Sequence, residues 1–173
     1  MTKEKVLNVA CNVVPDIRIR TITTQDSPEE TYDKKKYPFE LYNDCTFIIT
    51  TSVRTLTFKI DAGYKHNGAD IPRPLWWLGS SRDNDYVVAS MVHDYLLQYK
   101  VKIYKEVFHE DITASEFRRL TSLIFREILK EHKMNVVKAN VEAWFVDVFQ
   151  GCFNKKGWKD IPKEKEKDSF TSL

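Results

Sequence analysis

Five side chains in this 173-residue chain have types and spacings that suit hydrolytic or metal-assisted chemistry: His66, Asp70, Arg73 and the adjacent pair His93 and Asp94. Imidazole and carboxylate groups are ligands for zinc, manganese and similar divalent ions. A carboxylate beside a bound ion can also activate water, and a guanidinium can hold an anionic group through two parallel hydrogen bonds. Three of these residues lie in one segment, His66-Asn-Gly-Ala-Asp-Ile-Pro-Arg73. Its Asn-Gly pair favours a tight turn with positive φ. Pro72 fixes the backbone and removes an amide, and Trp76 and Trp77 follow closely. One reading is a rigid loop that presents Asp70, Arg73 and His66 at a cleft. The other is a packed crossover from sheet to helix with Arg73 paired to a carboxylate. The segment alone leaves both open.

His93 and Asp94 fall inside a helical pattern, where neighbouring side chains point about 100° apart. Both can reach one metal ion, or His93 can act while Asp94 makes an ion pair. The bland alternative is a satisfied core histidine, since Tyr86, Ala89, His93 and Leu97 share a face. A metal site built from His93, Asp94 and His66, with Asp70 as ligand or general base, is the sharper expectation.

The elements that must position these residues come in two blocks. The first sixty residues read as strands. Val6 to Val14 is apolar and β-branched, and Ile17 to Ile22 alternates apolar with polar. Phe39 to Thr50 and Thr55 to Ile60 are again strand-like, and the short turn 51–54 predicts a hairpin. Thr24 to Lys36, polar and charged, reads as a loop. Gly63 to Ser81 holds three of the five glycines and two of the six prolines, and so reads as irregular.

Three helices are expected after that. The first runs from an Asp83 or Asn84 cap to about Gln98 and is apolar nearly all round, the mark of a buried helix. The second opens with a capping box, Thr113-Ala-Ser-Glu116, and carries a stripe of Phe117, Leu120, Ile124 and Ile128. The third starts near Asn135, and Val137, Val141, Trp144, Phe145, Val148, Phe149 and Cys152 give it a wide apolar face. Strands followed by helices predict an α+β fold, with an N-terminal antiparallel hairpin, an irregular Gly/Pro loop and three packed helices. We expect a single domain over 1–158 and a solvated charged tail over 159–173.

Composition narrows the classes. Apolar residues make up 42% and aromatics 13%, enough apolar surface to offset chain entropy. A net charge of +2 lacks the basic excess of a nucleic-acid binder. Cys11, Cys45 and Cys152 form no CxxC and read as reduced thiols. No apolar run reaches the roughly 18 residues of a membrane span, and the opening residues lack a signal-peptide pattern, so a cytoplasmic location is expected. GxxxxGK[ST], GxGxxG, HExxH and GxSxG are all missing. His109 and His132 read as surface residues.

Two stretches, Asn67-Gly-Ala-Asp-Ile-Pro-Arg73 and Ala89-Ser-Met-Val-His-Asp-Tyr-Leu96, with Trp76 or Trp77 between them, resemble a phage and prophage family catalogued as domain of unknown function 1353. The resemblance covers about residues 55–158. The family pattern has Asp where this chain has Asn67, and Ser where it has Asp70. It has an acidic residue at Ser122, a basic one at Asp147 and glycine at Gln150, while His93 and Asp94 are kept. The resemblance implies a phage-encoded protein, made in the bacterial host cytoplasm, with other phage proteins as partners and a place in the virion. On the departures, a non-enzymatic virion or partner-binding component is the leading expectation. The alternative is a metal-dependent hydrolase acting on cell wall during lysis, with Asp70, Arg73, His93 and Asp94 as catalytic residues and zinc or manganese as cofactor. The order His66, His93-Asp94, Asp147 also resembles the metal-dependent phosphohydrolases named for a His-Asp doublet. Their fold is all helical, which sets this chain apart.

Overall fold

A computed structural model of the protein describes residues 4–68, 84–109, 112–132, 134–153 and 161, with backbone alone at 84–85 and 149–153. In chain order the elements are β1 (Val6–Cys11), β2 (Ile17–Ile19), α1 (Pro28–Lys36), β3 (Phe39–Leu41), β4 (Cys45–Thr51), β5 (Thr55–Ile60), β6 (Lys65–His66), α2 (Asn84–Gln98), α3 (Lys100–Glu106), α4 (Ala114–Glu131) and α5 (Val136–Phe153). The fold is α+β, with antiparallel strands first and most of the helices after them.

β1, β4 and β5 form one antiparallel sheet in the order β1-β4-β5. Period-two alternation sets its two faces. Phe47 and Ile49 on β4 point inward beside Leu56, Phe58 and Ile60 on β5, while Ile48, Thr57 and Lys59 face outward. The register pairs Phe47 with Phe58 and Ile49 with Leu56, and the two Phe rings stack at 5.7 Å. A one-residue slip would turn this whole apolar set to water, so burial fixes the register. The expected hairpin forms between β4 and β5, where Thr51 Oγ1 accepts from the Val53 and Arg54 amides.

The inner face of this sheet is closed by helices. α4 turns Phe117, Leu120, Ile124 and Ile128 into the core, the stripe its periodicity predicts. Its N-terminal capping box is present: the Thr113 side chain accepts from the Glu116 amide and the Glu116 carboxylate from the Thr113 amide. α2 buries Tyr86, Val87, Ala89, Met91, Val92 and Leu96. α5 packs on α4 through small residues, Ala139 and Ala143. Arg118 Nε pairs with Asp147 Oδ1 at 2.8 Å across that contact. The Tyr86 hydroxyl donates to the buried Glu142 carboxyl between α2 and α5, and burial pushes the Glu142 pKa up. Ile161, beyond α5, is also buried in this core.

A second antiparallel sheet, β2-β3-β6, stands beside the first. It is short and relies on polar ties. Arg20 follows β2 directly; its guanidinium bonds the Tyr37 carbonyl at 3.0 Å and Asp33 at 2.8 Å, and its Nε lies 3.2 Å from Glu40. Lys65 reaches the same Asp33 oxygen at 3.0 Å, and these two cations hold the Asp33 carboxyl below its usual range. α1 is thereby pinned to the sheet without burying a single side chain.

Several expectations are corrected here. Thr24 to Lys36 is not a loop throughout, because 28–36 is α1, with Pro28 in its first turn and a Ser27–Glu30 capping box. It has no apolar stripe for periodicity to reveal. The first two strands are shorter than their apolar runs, ending at Cys11 and Ile19. The Gly/Pro segment contains β6, so His66 lies in a strand rather than a loop. Five helices occur among the described residues, two more than expected. On α5 the apolar residues split: Val137 and Trp144 are exposed, while Ala139, Glu142 and Ala143 face the core. Phe149 and Cys152 fall where side chains are not described.

The Phe117 ring is fully buried against Phe108, with centroids 4.9 Å apart. Phe117→Ala should therefore cost about 3–5 kcal/mol, from lost transfer plus a cavity. Thr113→Ala, which removes only the cap, should cost about 1 kcal/mol. Urea denaturation of the two variants would contradict this packing if they proved equally stable.

Candidate functional site

Where β6 meets the C-terminal half of α2, an open cleft of about 340 Å³ is lined by Tyr37, Tyr64, His66, Asn67, Asp94, Leu97, Gln98 and Lys100. Two elements explain it. On α2, Asp94, Leu97 and Gln98 stand at i, i+3 and i+4, which is one helix face. On the other side, Tyr64 and His66 are separated by two residues of extended chain and so share a face.

His66 is held by aromatic neighbours. Its ring stacks on Phe39 at 5.4 Å and lies parallel to Tyr64 at 6.1 Å. Burial lowers its pKa to about 4, so the imidazole is neutral at pH 7. Nδ1 accepts from the Gly68 amide at 3.3 Å, which assigns the ring proton to Nε2. That Nε2–H is buried and has no hydrogen-bond partner among the described residues. Gly68 has φ of 77°, as the Asn-Gly pair predicts, and a Cβ there would meet the Phe39 ring at 2.7 Å. Only glycine brings its amide this close to the imidazole.

The tyrosines form a continuous group. Tyr64 meets Tyr95 edge-on at 5.4 Å, and Tyr95 lies 4.8 Å from Tyr99. The Tyr64 hydroxyl bonds Gln98 Oε1 at 3.1 Å. Burial, with Asp94 nearby, pushes its pKa well above the usual phenol range. Tyr64 therefore serves as a neutral hydroxyl and an apolar wall.

The histidine–aspartate doublet is divided by the helix. Asp94 lines the cleft, whereas His93 is buried among the helices and sets its ring edge-on to Phe125 of α4, 5.8 Å away. His93 Nδ1 stands 3.8 Å from Asp94 Oδ1, beyond direct hydrogen bonding. Ser122, about one turn before Phe125 on α4, is also buried and its hydroxyl donates to the Arg118 carbonyl. Of the predicted site residues, the structure brings His66 and Asp94 to one cleft and turns His93 away from it. Asp70 and Arg73 lie outside the described residues, as do Trp76, Trp77 and Asp83. Among the described residues no three His, Cys, Asp or Glu side chains gather as a metal site. His109 and His132 are exposed, as expected.

Sequence reasoning missed Tyr37, Tyr64, Gln98 and Lys100 as cleft residues. The spacings of Tyr64 from His66 and of Gln98 from Asp94 carried that information. Tyr37 did not, because only the polar anchoring of α1 places it there.

This α+β arrangement, a small sheet joined to a helical layer across a tyrosine-lined cleft, is the structural class. The chain belongs to the family described as protein of unknown function (DUF1353), which matches residues 39–146. The match begins at β3 and ends within α5, so it contains every cleft residue except Tyr37 and leaves out β1, β2 and α1. The chain matches none of the curated proteins and none of the solved structures. No helix among the described residues is long and apolar enough to cross a membrane.

His66 makes stability depend on pH. Its folded pKa, about 4, lies below the ordinary 6.5. The unfolded chain thus binds the proton more readily, and stability is lost as pH falls from about 6.5 towards 4, levelling off below. The full effect is about 3 kcal/mol. Urea midpoints taken between pH 7 and pH 4 should fall less steeply in His66→Phe than in the wild type. Parallel slopes would show that this imidazole is not the group responsible.

Proposed function

We propose that this is a phage-encoded component that works by binding another protein rather than by catalysis, made in the host cytoplasm and carried into the particle. One observation carries the reading: the outer face of α5 leaves Val137 70% and Trp144 64% exposed. Val136 is exposed beside them, and half-buried Val141 and Val148 continue the same line. Contiguous large apolar groups left in water are costly and mark contact surfaces. A tryptophan on such a ridge is the residue type most often found to dominate binding. The opposite face of α5 is committed to the core, so the helix can present this ridge without moving. In the same direction, His93, the residue the resemblance would make catalytic, packs against Phe125 rather than lining the cleft.

A second reading rests on its own observation, that His66 and Asp94 line one cleft. In a metal-dependent hydrolase acting on cell wall, the Asp94 carboxylate would hold the ion, and His66 Nε2 would join it only after giving up its proton, which requires the Gly68 amide to leave Nδ1. The ion would supply a water activated at neutral pH.

Trp144→Glu should leave the circular dichroism spectrum and melting temperature unchanged, and lower the amount of protein in purified particles about tenfold or more. Unchanged incorporation would remove the binding reading. Elemental analysis by mass spectrometry, after adding zinc or manganese, should find no stoichiometric metal. A metal lost in His66→Phe or Asp94→Asn would instead make the hydrolase reading the leading one.

A further inference from the structure

Two of the cysteines stand together at the end of the larger sheet. β1 pairs with β4 in a register that sets Cys11 opposite Phe47. The ladder continues one residue further: the Asn12 amide donates to the Thr46 carbonyl at 3.1 Å, and the Thr46 amide to Asn12 Oδ1 at 2.7 Å. This double clamp holds residues 11–12 against 45–46. Val9, Cys11, Cys45 and Phe47 all lie on the inner face, so the two thiols are diagonal neighbours on adjacent strands. The Cys11 thiol lies 3.8 Å from Asn12 Oδ1 and the Cys45 thiol 3.6 Å from the Asn43 carbonyl, and the two sulfurs are near enough to influence each other electrostatically. Both are free thiols. A disulfide needs a shorter Cα separation than a diagonal pair ordinarily has, so forming it requires the Asn12–Thr46 clamp at the end of β1 to shift.

We propose that Cys11 and Cys45 are a reversible oxidation site, forming a disulfide that fastens the edge strand β1 to the central strand β4. The two thiols divide the work by exposure. Cys45 is fully buried and burial pushes its thiol up to about 12, so it stays protonated. Cys11 is half-buried and is the sulfur a small oxidant reaches. With hydrogen peroxide as oxidant, the Cys11 thiolate attacks one peroxide oxygen, the O–O bond breaks and hydroxide leaves. Cys11 is then a sulfenic acid. As Cys45 Sγ attacks Cys11 Sγ, its proton passes to the sulfenic oxygen, so that it reacts as thiolate; the S–O bond breaks and water leaves. In sum, two thiols and one peroxide give one disulfide and two waters, and two electrons pass from sulfur to the peroxide oxygens. Cys11 lies outside the residues the family matches and Cys45 inside them, so the pair joins this chain's own N-terminal strand to the family fold.

The test treats the full wild-type protein with hydrogen peroxide, blocks remaining thiols after unfolding, and maps peptides by mass spectrometry. The expected result is an intact mass lowered by two hydrogens, a linked peptide pair containing Cys11 and Cys45, and full reversal by dithiothreitol. The oxidised protein should also melt several degrees higher than the reduced one, a rise that Cys11→Ser does not show. The proposal is overturned if Cys11 advances to sulfinic acid while Cys45 remains alkylatable, if the link runs to Cys152 instead, or if both thiols survive the treatment.

Discussion

Phe47, Ile49, Leu56, Phe58 and Ile60 must leave water on one side of a sheet only three strands wide, and nothing in the strand half of the chain can cover them. Burying each large side chain contributes about 1.5–3 kcal/mol, so the whole face requires a second layer. α2 and α4 supply it, and the other elements take their places from that contact. Leu96 and Ile103 meet Ile49, Leu56 and Phe58 beside Phe117 and Leu120, leaving a void of only about 10 Å³. Because α2 is fixed there by its apolar side, its other edge, carrying Asp94, Leu97 and Gln98, is left to line the cleft.

The smaller sheet follows a different rule. It buries Phe39, Leu41 and His66, but its outer parts are tied by charge: Arg20 and Lys65 converge on Asp33, and Arg20 also reaches Glu40. These contacts are partly exposed and individually weak. Their value is geometric, since they bring α1 and Tyr37 to the cleft. His66 links the two regimes, stacked between Phe39 and Tyr64 and fixed in tautomer by Gly68.

Much of the larger scaffold was legible in the sequence because its signals are periodic. The β4–β5 hairpin, the α4 stripe with its Thr113 cap, and the span of α2 follow from alternation, spacing and capping chemistry. α1 was not legible, because a helix that buries nothing has no period to detect. On α5 the apolar residues were legible but their partition was not. Valine and tryptophan look more core-like than alanine, yet close approach of α5 to α4 selects Ala139 and Ala143 for the contact and leaves Trp144 in solvent. The same limit governed the site. His66 and Asp94 were candidates from residue type, but which half of the His93–Asp94 pair faces the cleft depends on the helix rotation, and that is set by Phe125 and the sheet.

The contact between β1 and α4 also bears on how the protein is made. The Val9 amide reaches Glu131, the last residue of α4. Translation proceeds at about 5–20 residues per second. The finished hairpin therefore waits on the order of several seconds, its greasy side bare, before the helix that will cover it leaves the ribosome. During that interval the nascent chain resembles a client for a holding chaperone more than a folding domain. Its yield in a cell should depend on translation speed through the stretch joining β6 to α4 as much as on the stability of the finished fold.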